Sequence, residues 1–258
     1  MTSQTAVNET ETRFVEHVMG MPITLVLRGR HAHSAAGRRA WTAIVELLHD
    51  VDRKFSTYRS DSEVSLVRDH VPHDASVELR EVLALAEEAR VASDGAFNVW
   101  LPCPEGRLVF DPSGVVKGWA IDGASRLLDD LEETDTCLSA GGDMVCRTRV
   151  PGSEGWKVGI ENPFDPQRII AVLPVVDGAV ATSGTAHRGE HLVDARTGLA
   201  PAGVASVTVV TASLTWADID ATAAYAQGTG AARWLSTRPN RTALIVWADG
   251  TTSAVRTR

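Results

Sequence analysis

The sequence predicts an α+β fold with largely antiparallel sheets. Strand-like and helix-like segments are mixed without a regular βαβ alternation, which argues against a parallel doubly wound sheet. Two long segments carry apolar residues at clear helical spacing. The chain ends in a hairpin pattern turned at Asp249-Gly250, and no low-complexity linker or short-period repeat interrupts it.

Taken in order, Arg13 to Arg28 reads as strand, with a turn at Met19-Gly20. From Ser34 to Phe55 the residues Ala40, Ile44, Leu47, Leu48, Val51 and Phe55 recur at helical spacing, and Ser34 suits the N-cap. A second helix fits Val77 to Ala92, with Leu79, Val82, Leu83, Ala86 and Ala89 on one face. A third runs from about Gly114 to Leu128. Strands follow at Cys137–Ala140, Val145–Arg149, Trp156–Ile160, Ile169–Val176 and Ala205–Thr211. A helix over Trp216–Gln227 and a short one over Ala231–Ser236 precede the final strands, Thr242–Trp247 and Thr252–Val255. Residues 1–12 read as a flexible tail and 13–258 as one domain.

Composition narrows the function. The 258 residues are 44% hydrophobic and 22% charged, enough for a substantial core. A net charge of −8, with Lys and Arg scattered, gives no electrostatic basis for nucleic-acid binding. An anionic ligand therefore needs local help from a metal, a lysine or backbone N–H groups. The polar, acidic start is not a secretory signal, and no apolar stretch nears the roughly 20 residues of a membrane span. Cys103, Cys137 and Cys146 form neither a disulfide framework nor a zinc pattern, so a soluble cytoplasmic protein is expected.

Four segments bear on chemistry. In WADIDATAAYAQG, Asp218 and Thr222 are four apart on a helix and share a face, offering hard oxygen ligands suited to Mg²⁺. An ordinary helix carboxylate and threonine would read the same way. Asp220 falls on another face and is expected to be solvated. In FDPSGVVKGWAID, Ser113 and Gly114 open a helix and Lys117 is placed in its first turn, where the helix dipole does not favour a cation. An anionic partner or a plain surface position accounts for it equally. SAGGDM sets paired glycines after a strand, without the dinucleotide fingerprint. ATSGTAHRGEHLVDARTG gathers Thr182, Ser183, His187, His191 and Asp194, but lacks the nucleophile elbow of a serine hydrolase. His191 is read either as a core histidine or as a proton acceptor near neutral pH. His31 and His33 are expected in a solvated loop.

Together and in order, these segments resemble the ApbE family of FAD:protein FMN transferases. The resemblance also rests on MGMPITLVL from Met19, FSTYRSDSEVSLV from Phe55, SDGAF from Ser93, WKVGIENP from Trp156 and VTVVTASLTWADIDATAA from Val207, and so spans nearly the whole chain. It implies two related lobes with the flavin between them, FAD as substrate, Mg²⁺ as cofactor, and transfer of FMN to a threonine or serine of an acceptor redox protein with release of AMP. Carried over by motif, the metal ligands are Asp218, Thr222 and the Gly114 carbonyl. The FAD-contacting positions are Met19, Tyr58, Ala96, Phe97, Asn98, Asp111, Lys117 and Val193, and His191 is the candidate base. The chain departs from the family at Asn98, where Asp is usual, at Pro112 and Ser139, and in a short stretch between Asn98 and Asp111. The lipoprotein signal of many members is not read in this sequence, so acceptors modified in the cytoplasm are expected. An FAD pyrophosphatase and a non-catalytic flavin-binding protein are the competing readings.

Overall fold

The computed structural model describes residues 11–103, 106–184 and 192–258. Its frame is one eight-stranded sheet in which every neighbouring pair is antiparallel. In spatial order the strands are β1 (Glu11–Val18), β2 (Met21–Gly29), β5 (Thr134–Ala140), β6 (Asp143–Arg147), β9 (Gly178–Gly184), β10 (Val204–Thr211), β11 (Thr242–Trp247) and β12 (Thr252–Arg256). Two short ribbons stand apart. One pairs β3 (Trp100–Pro102) with β4 (Leu108–Phe110), and the other pairs β7 (Trp156–Asn162) with β8 (Asp165–Val175). The helices are α1 (Ala35–Phe55), α2 (Glu63–Arg68), α3 (Val77–Ala92), α4 (Ser113–Ser125), α5 (Leu214–Ala226) and α6 (Ala231–Leu235). No described helix is long and apolar enough to cross a membrane.

The period-2 alternation of the strands gives the sheet two different faces. Leu25, Leu138, Val145, Ala181, Val207 and Ile245 point to the helical side and join the main core with Ile44, Leu48, Leu79 and Ile121. Each such Leu or Ile contributes roughly 1.5–3 kcal/mol when fully buried. Their sequence neighbours Val26, Cys137, Met144, Cys146 and Val180 face the other way, as does Val210, and Trp156, Val158, Ile160 and Val175 of the β7–β8 hairpin pack there. The hairpin therefore acts as a second layer over the middle of the sheet, although its own backbone joins no main-sheet strand.

Most elements lie where periodicity puts them. Ser34, Ser76 and Ser213 cap α1, α3 and α5 with side-chain oxygens that accept the N–H of Gly37, Leu79 and Trp216. Strand β1 begins at Glu11, two residues inside the expected tail. Four elements differ from the sequence reading: α2, β3, β4 and β9 have no counterpart there. β9, GAVATSG, consists of small residues with little alternation, and its extended form comes from pairing with β6 and β10 on either side.

α5 is buried on nearly all sides and lies between α4 and the sheet. Its start is anchored by Asp122 of α4, whose carboxylate accepts from Ser213 Oγ at 2.7 Å and Leu214 N at 3.1 Å. The two helices touch at Gly118. A methyl group there would lie 2.8 Å from the Leu214 carbonyl oxygen and 2.9 Å from Asp218 Cβ. Gly118→Ala is accordingly expected to destabilise the protein by about 1–3 kcal/mol, the usual range for overpacking a tight contact. Thermal or urea denaturation checks this, and an unchanged midpoint would show that the helices separate freely.

Asp220 corrects the sequence reading. It is fully buried rather than solvated, and its two oxygens accept from Arg238 Nε at 3.0 Å and Arg241 Nε at 2.5 Å. The helical wheel separates it correctly from Asp218, but the face it occupies is covered by the segment after α6.

Candidate active site

One cleft collects the chemistry. It encloses about 300 Å³, at the low end of the size range of small-molecule sites. Its walls are the start of α4, the middle of α5, the β5–β6 turn, the end of β9, the β7–β8 hairpin and the turn after α3.

The β5–β6 turn is Gly141-Gly142, with φ of 57° and 99°. Both residues need the left-handed region, as a two-residue hairpin loop of this type requires, and glycine meets that need without steric cost. The turn carries Asp143 into the cleft. There Asp143 hydrogen-bonds the ammonium of Lys117, which also lies 2.9 Å from Asp218 Oδ1. The second oxygens are also held: Asp143 Oδ1 accepts Thr182 N at 2.9 Å, and Asp218 Oδ2 accepts Gly118 N at 3.1 Å. The lysine side chain is 16% exposed and each carboxylate 5%. Two carboxylates around one ammonium leave this buried cluster one formal negative charge, which favours a further cation over a bare anion.

One helical turn beyond Asp218, Thr222 Oγ1 lies 2.9 Å from Ser183 Oγ on β9. Among the described residues the side-chain donors lining this corner are carboxylate and hydroxyl oxygens, without sulfur or imidazole. Among the described residues no three or more His, Cys, Asp or Glu side chains are grouped to hold a metal. Such a set suits Mg²⁺, which typically takes one or two carboxylates and completes its shell with water and substrate phosphate oxygens.

The opposite side is less polar. Ser93 is buried, and its hydroxyl accepts Phe97 N at 3.0 Å, fixing the turn that presents Ala96, Phe97 and Asn98. The Phe97 ring abuts Gly114, where a methyl group would meet it at 3.1 Å. Asp111 accepts Ser113 N at 3.0 Å and so ties down the entry to α4, while Arg68 of α2 donates to the Phe110 carbonyl at 3.0 Å. Leu192 and Val193 line the rim, and Asp194 beside them is clamped by Arg196. Burial pushes the Asp194 carboxyl up, but the Arg196 guanidinium outweighs it and holds the group below the usual carboxylate range.

Of the residues singled out from sequence, Ala96, Phe97, Asn98, Asp111, Gly114, Lys117, Val193, Asp218 and Thr222 all line this cleft. Tyr58 and Met19 are not among its lining residues. Tyr58 is 97% exposed on the loop after α1, and Met19 sits at the β1–β2 turn. His191 and His187 lie outside the described residues. Lys117 falls in the second turn of α4 rather than the first, and carboxylates of this chain already partner it. His31 is half-buried beside Ser34, whereas His33 is exposed. The sequence reading missed Asp143 and the hairpin wall of Gly159, Ile160, Glu161 and Pro163. An acidic residue directly after a Gly-Gly turn was the available signal for Asp143. Nothing local marks the hairpin.

The sequence pattern of the ApbE family matches residues 19–109 and 101–246. The chain belongs to the ApbE family. Among curated relatives of this ApbE-family chain, the FAD:protein FMN transferase of Vibrio cholerae serotype O1 is 26% identical over 243 residues, covering 72% of this chain and 73% of the relative. That of Haemophilus influenzae is 22% identical, covering 72% and 71%. The crystal structure of the Thermotoga maritima ApbE protein superposes with a TM-score of 0.81 at 21% identity, over 96% of this chain and 97% of that one. The flavin transferase ApbE of Vibrio cholerae gives 0.80 at 22% identity, over the same shares. The ApbE architecture therefore extends across nearly the whole chain.

Proposed function

We propose that this chain transfers the FMN half of FAD to a threonine or serine hydroxyl of an acceptor protein, releasing AMP, with Mg²⁺ as cofactor. The observation that carries the reading is the single cleft in which Lys117, Asp143, Asp218 and Thr222 face an aromatic and backbone wall, within the ApbE fold. Relatives named FAD:protein FMN transferase support it.

The chemistry requires little covalent help. The acceptor oxygen attacks the phosphorus of the FMN half, the bond to the AMP oxygen breaks, and the hydroxyl proton leaves to a base. Displacement of this kind depends on alignment and charge neutralisation. Asp218, Thr222 and the Gly114 carbonyl would hold Mg²⁺, which supplies charge neutralisation at phosphate oxygens when bound. Lys117 keeps the two carboxylates together and adds positive charge beside the phosphates. Phe97 and the turn around it offer a surface for the flavin ring. His191 is the candidate base. The hairpin residues Gly159, Ile160, Glu161 and Pro163 line one side of the cleft and would limit the access of water as a competing nucleophile there.

The test is incubation with FAD, Mg²⁺ and a threonine-containing acceptor, read by mass spectrometry. Acceptor gaining the mass of FMN supports transfer. Free FMN and AMP alone would make the protein a pyrophosphatase, and unchanged FAD a carrier. A binding corollary follows. FAD should bind at least roughly tenfold more tightly than riboflavin in the presence of Mg²⁺, because only FAD presents a pyrophosphate to the polar wall, and about 1.4 kcal/mol of charge-assisted contact suffices for that factor. Flavin fluorescence titration measures it, and equal affinities would remove the pyrophosphate from the argument.

A further inference from the structure

We propose that Cys137 and Cys146 are a modification site, a dithiol that peroxide-class oxidants convert reversibly to a disulfide across β5 and β6. The two residues are directly opposed in the antiparallel register, and their sulfurs lie 3.8 Å apart. The hairpin closes at Ala140 and Asp143, and hydrogen-bonded and open pairs alternate from there. Three steps along, Cys137 and Cys146 form an open pair. Such pairs hold their Cα atoms about 4.5 Å apart, inside the window of about 4.4–6.8 Å that a disulfide spans. Side-chain rotation alone can then bring the sulfurs into bonding distance.

The surroundings divide the two thiols into different roles. Cys146 is fully buried beneath the β7–β8 hairpin, whereas Cys137, packed against the same cluster, is only half-buried. In the sheet register Arg13, Val26, Cys137 and Cys146 make one row, and Arg28 flanks it. The Cys146 thiol donates toward the Cys137 sulfur, and Arg28 and Arg13 add positive charge, so Cys137 is the sulfur that ionises first. Cys146, donating to Cys137, buried and beside its charge, is held protonated. This pattern suits an attacking and a resolving cysteine.

The reaction balances with one peroxide. The Cys137 thiolate attacks a peroxide oxygen, the O–O bond breaks, and one water leaves after protonation. The Cys146 sulfur then attacks the resulting sulfenic acid, an S–S bond replaces the S–O bond, and the second water carries off the Cys146 proton. The dithiol is oxidised by two electrons and the peroxide is reduced. Nothing in this step depends on the flavin chemistry.

Trypsin releases both cysteines in one peptide, residues 127–147, which makes the test direct. The full-length folded chain is treated with hydrogen peroxide, then alkylated, digested and weighed. The expected result is loss of both alkyl adducts from this peptide, which becomes two hydrogens lighter, with both adducts restored by dithiothreitol. Cys103→Ser should leave that result unchanged. Cys146→Ser should stop the reaction at a sulfenic acid on Cys137 that dimedone traps. If that variant does not fold, the wild-type peptide still decides the question. Three outcomes would overturn the proposal: both thiols still alkylated when Cys103 is already oxidised, a sulfinic acid on Cys137 in the wild type, or a disulfide between chains. Oxygen added to Met144, whose sulfur lies 4.0 Å from Cys137, with both thiols intact would also overturn it.

Discussion

Replacing Asp218 with alanine is expected to lower FMN transfer by roughly 10²-fold or more. Stabilisation of phosphate charge by a bound metal is typically worth several kcal/mol, and each ~1.4 kcal/mol is tenfold in rate. Asp218 is the carboxylate that sits one turn before Thr222 and shares Lys117 with Asp143. Its loss would remove the carboxylate proposed to hold Mg²⁺ and leave Lys117 to Asp143 alone. FAD binding should survive in part, because Phe97 and the turn bearing it do not depend on Asp218. Thr222→Ala should be milder, since water replaces a neutral hydroxyl more easily than a charged ligand. The assay is flavin transfer to an acceptor peptide, with Mg²⁺ and with EDTA. Full activity in EDTA, or a folded Asp218→Ala protein at the wild-type rate, would remove the metal from this corner of the cleft.

Two residues along the same helix, Asp220→Ala is expected to cost about 3–5 kcal/mol of stability, the usual effect of breaking a buried ion pair by removing one partner. Asp220 is shielded from solvent, and the side chains of Arg238 and Arg241 are only 16% and 12% exposed. Without the carboxylate, two largely buried guanidinium groups lose their counter-charge. Arg241 would retain Thr211 Oγ1 and the Pro239 carbonyl, and Arg238 would retain the rings of Trp216 and Trp234. Those neutral contacts do not balance the charge. Urea denaturation should register the loss, and Asp220→Asn should recover part of it by keeping hydrogen-bond acceptance. A shift below about 1 kcal/mol would mean that the arginines reach water once released. The two aspartates thus separate function from stability: the Asp218 variant should fold and fail to transfer, and the Asp220 variant should be weakened in folding.

Local chemistry made the sequence informative at particular places. Apolar residues spaced as in Ile44, Leu48, Val51 and Phe55 have one low-energy arrangement, so α1 was legible together with its Ser34 cap. The same holds for α3, and for the Asp249-Gly250 hairpin joining β11 to β12. β9 was not legible, since small residues between two strands take their form from partners distant in sequence. Most residues carried over from the family pattern line one cleft, because the turn at 96–98, the start of α4 at 111–117, the segment at 193 and the middle of α5 at 218–222 meet at the same place in the fold. Tyr58 and Met19 belong to turns whose direction the motif does not encode.

By itself the sequence determined the class of fold, the family, and the helix face shared by Asp218 and Thr222, because the first two follow from the order of local patterns along the chain and the third from spacing within a short stretch. Only the tertiary structure decided what those side chains meet. Lys117 and Asp218 are 101 residues apart and Asp143 is 26 from Lys117, yet the three form one buried cluster. Asp220 looked like a solvated helix carboxylate until the chain after α6 placed two arginines against it. Burial and the sign of the neighbouring charge are set by non-local packing, and they decide whether a carboxylate binds a cation, holds the fold together or faces water.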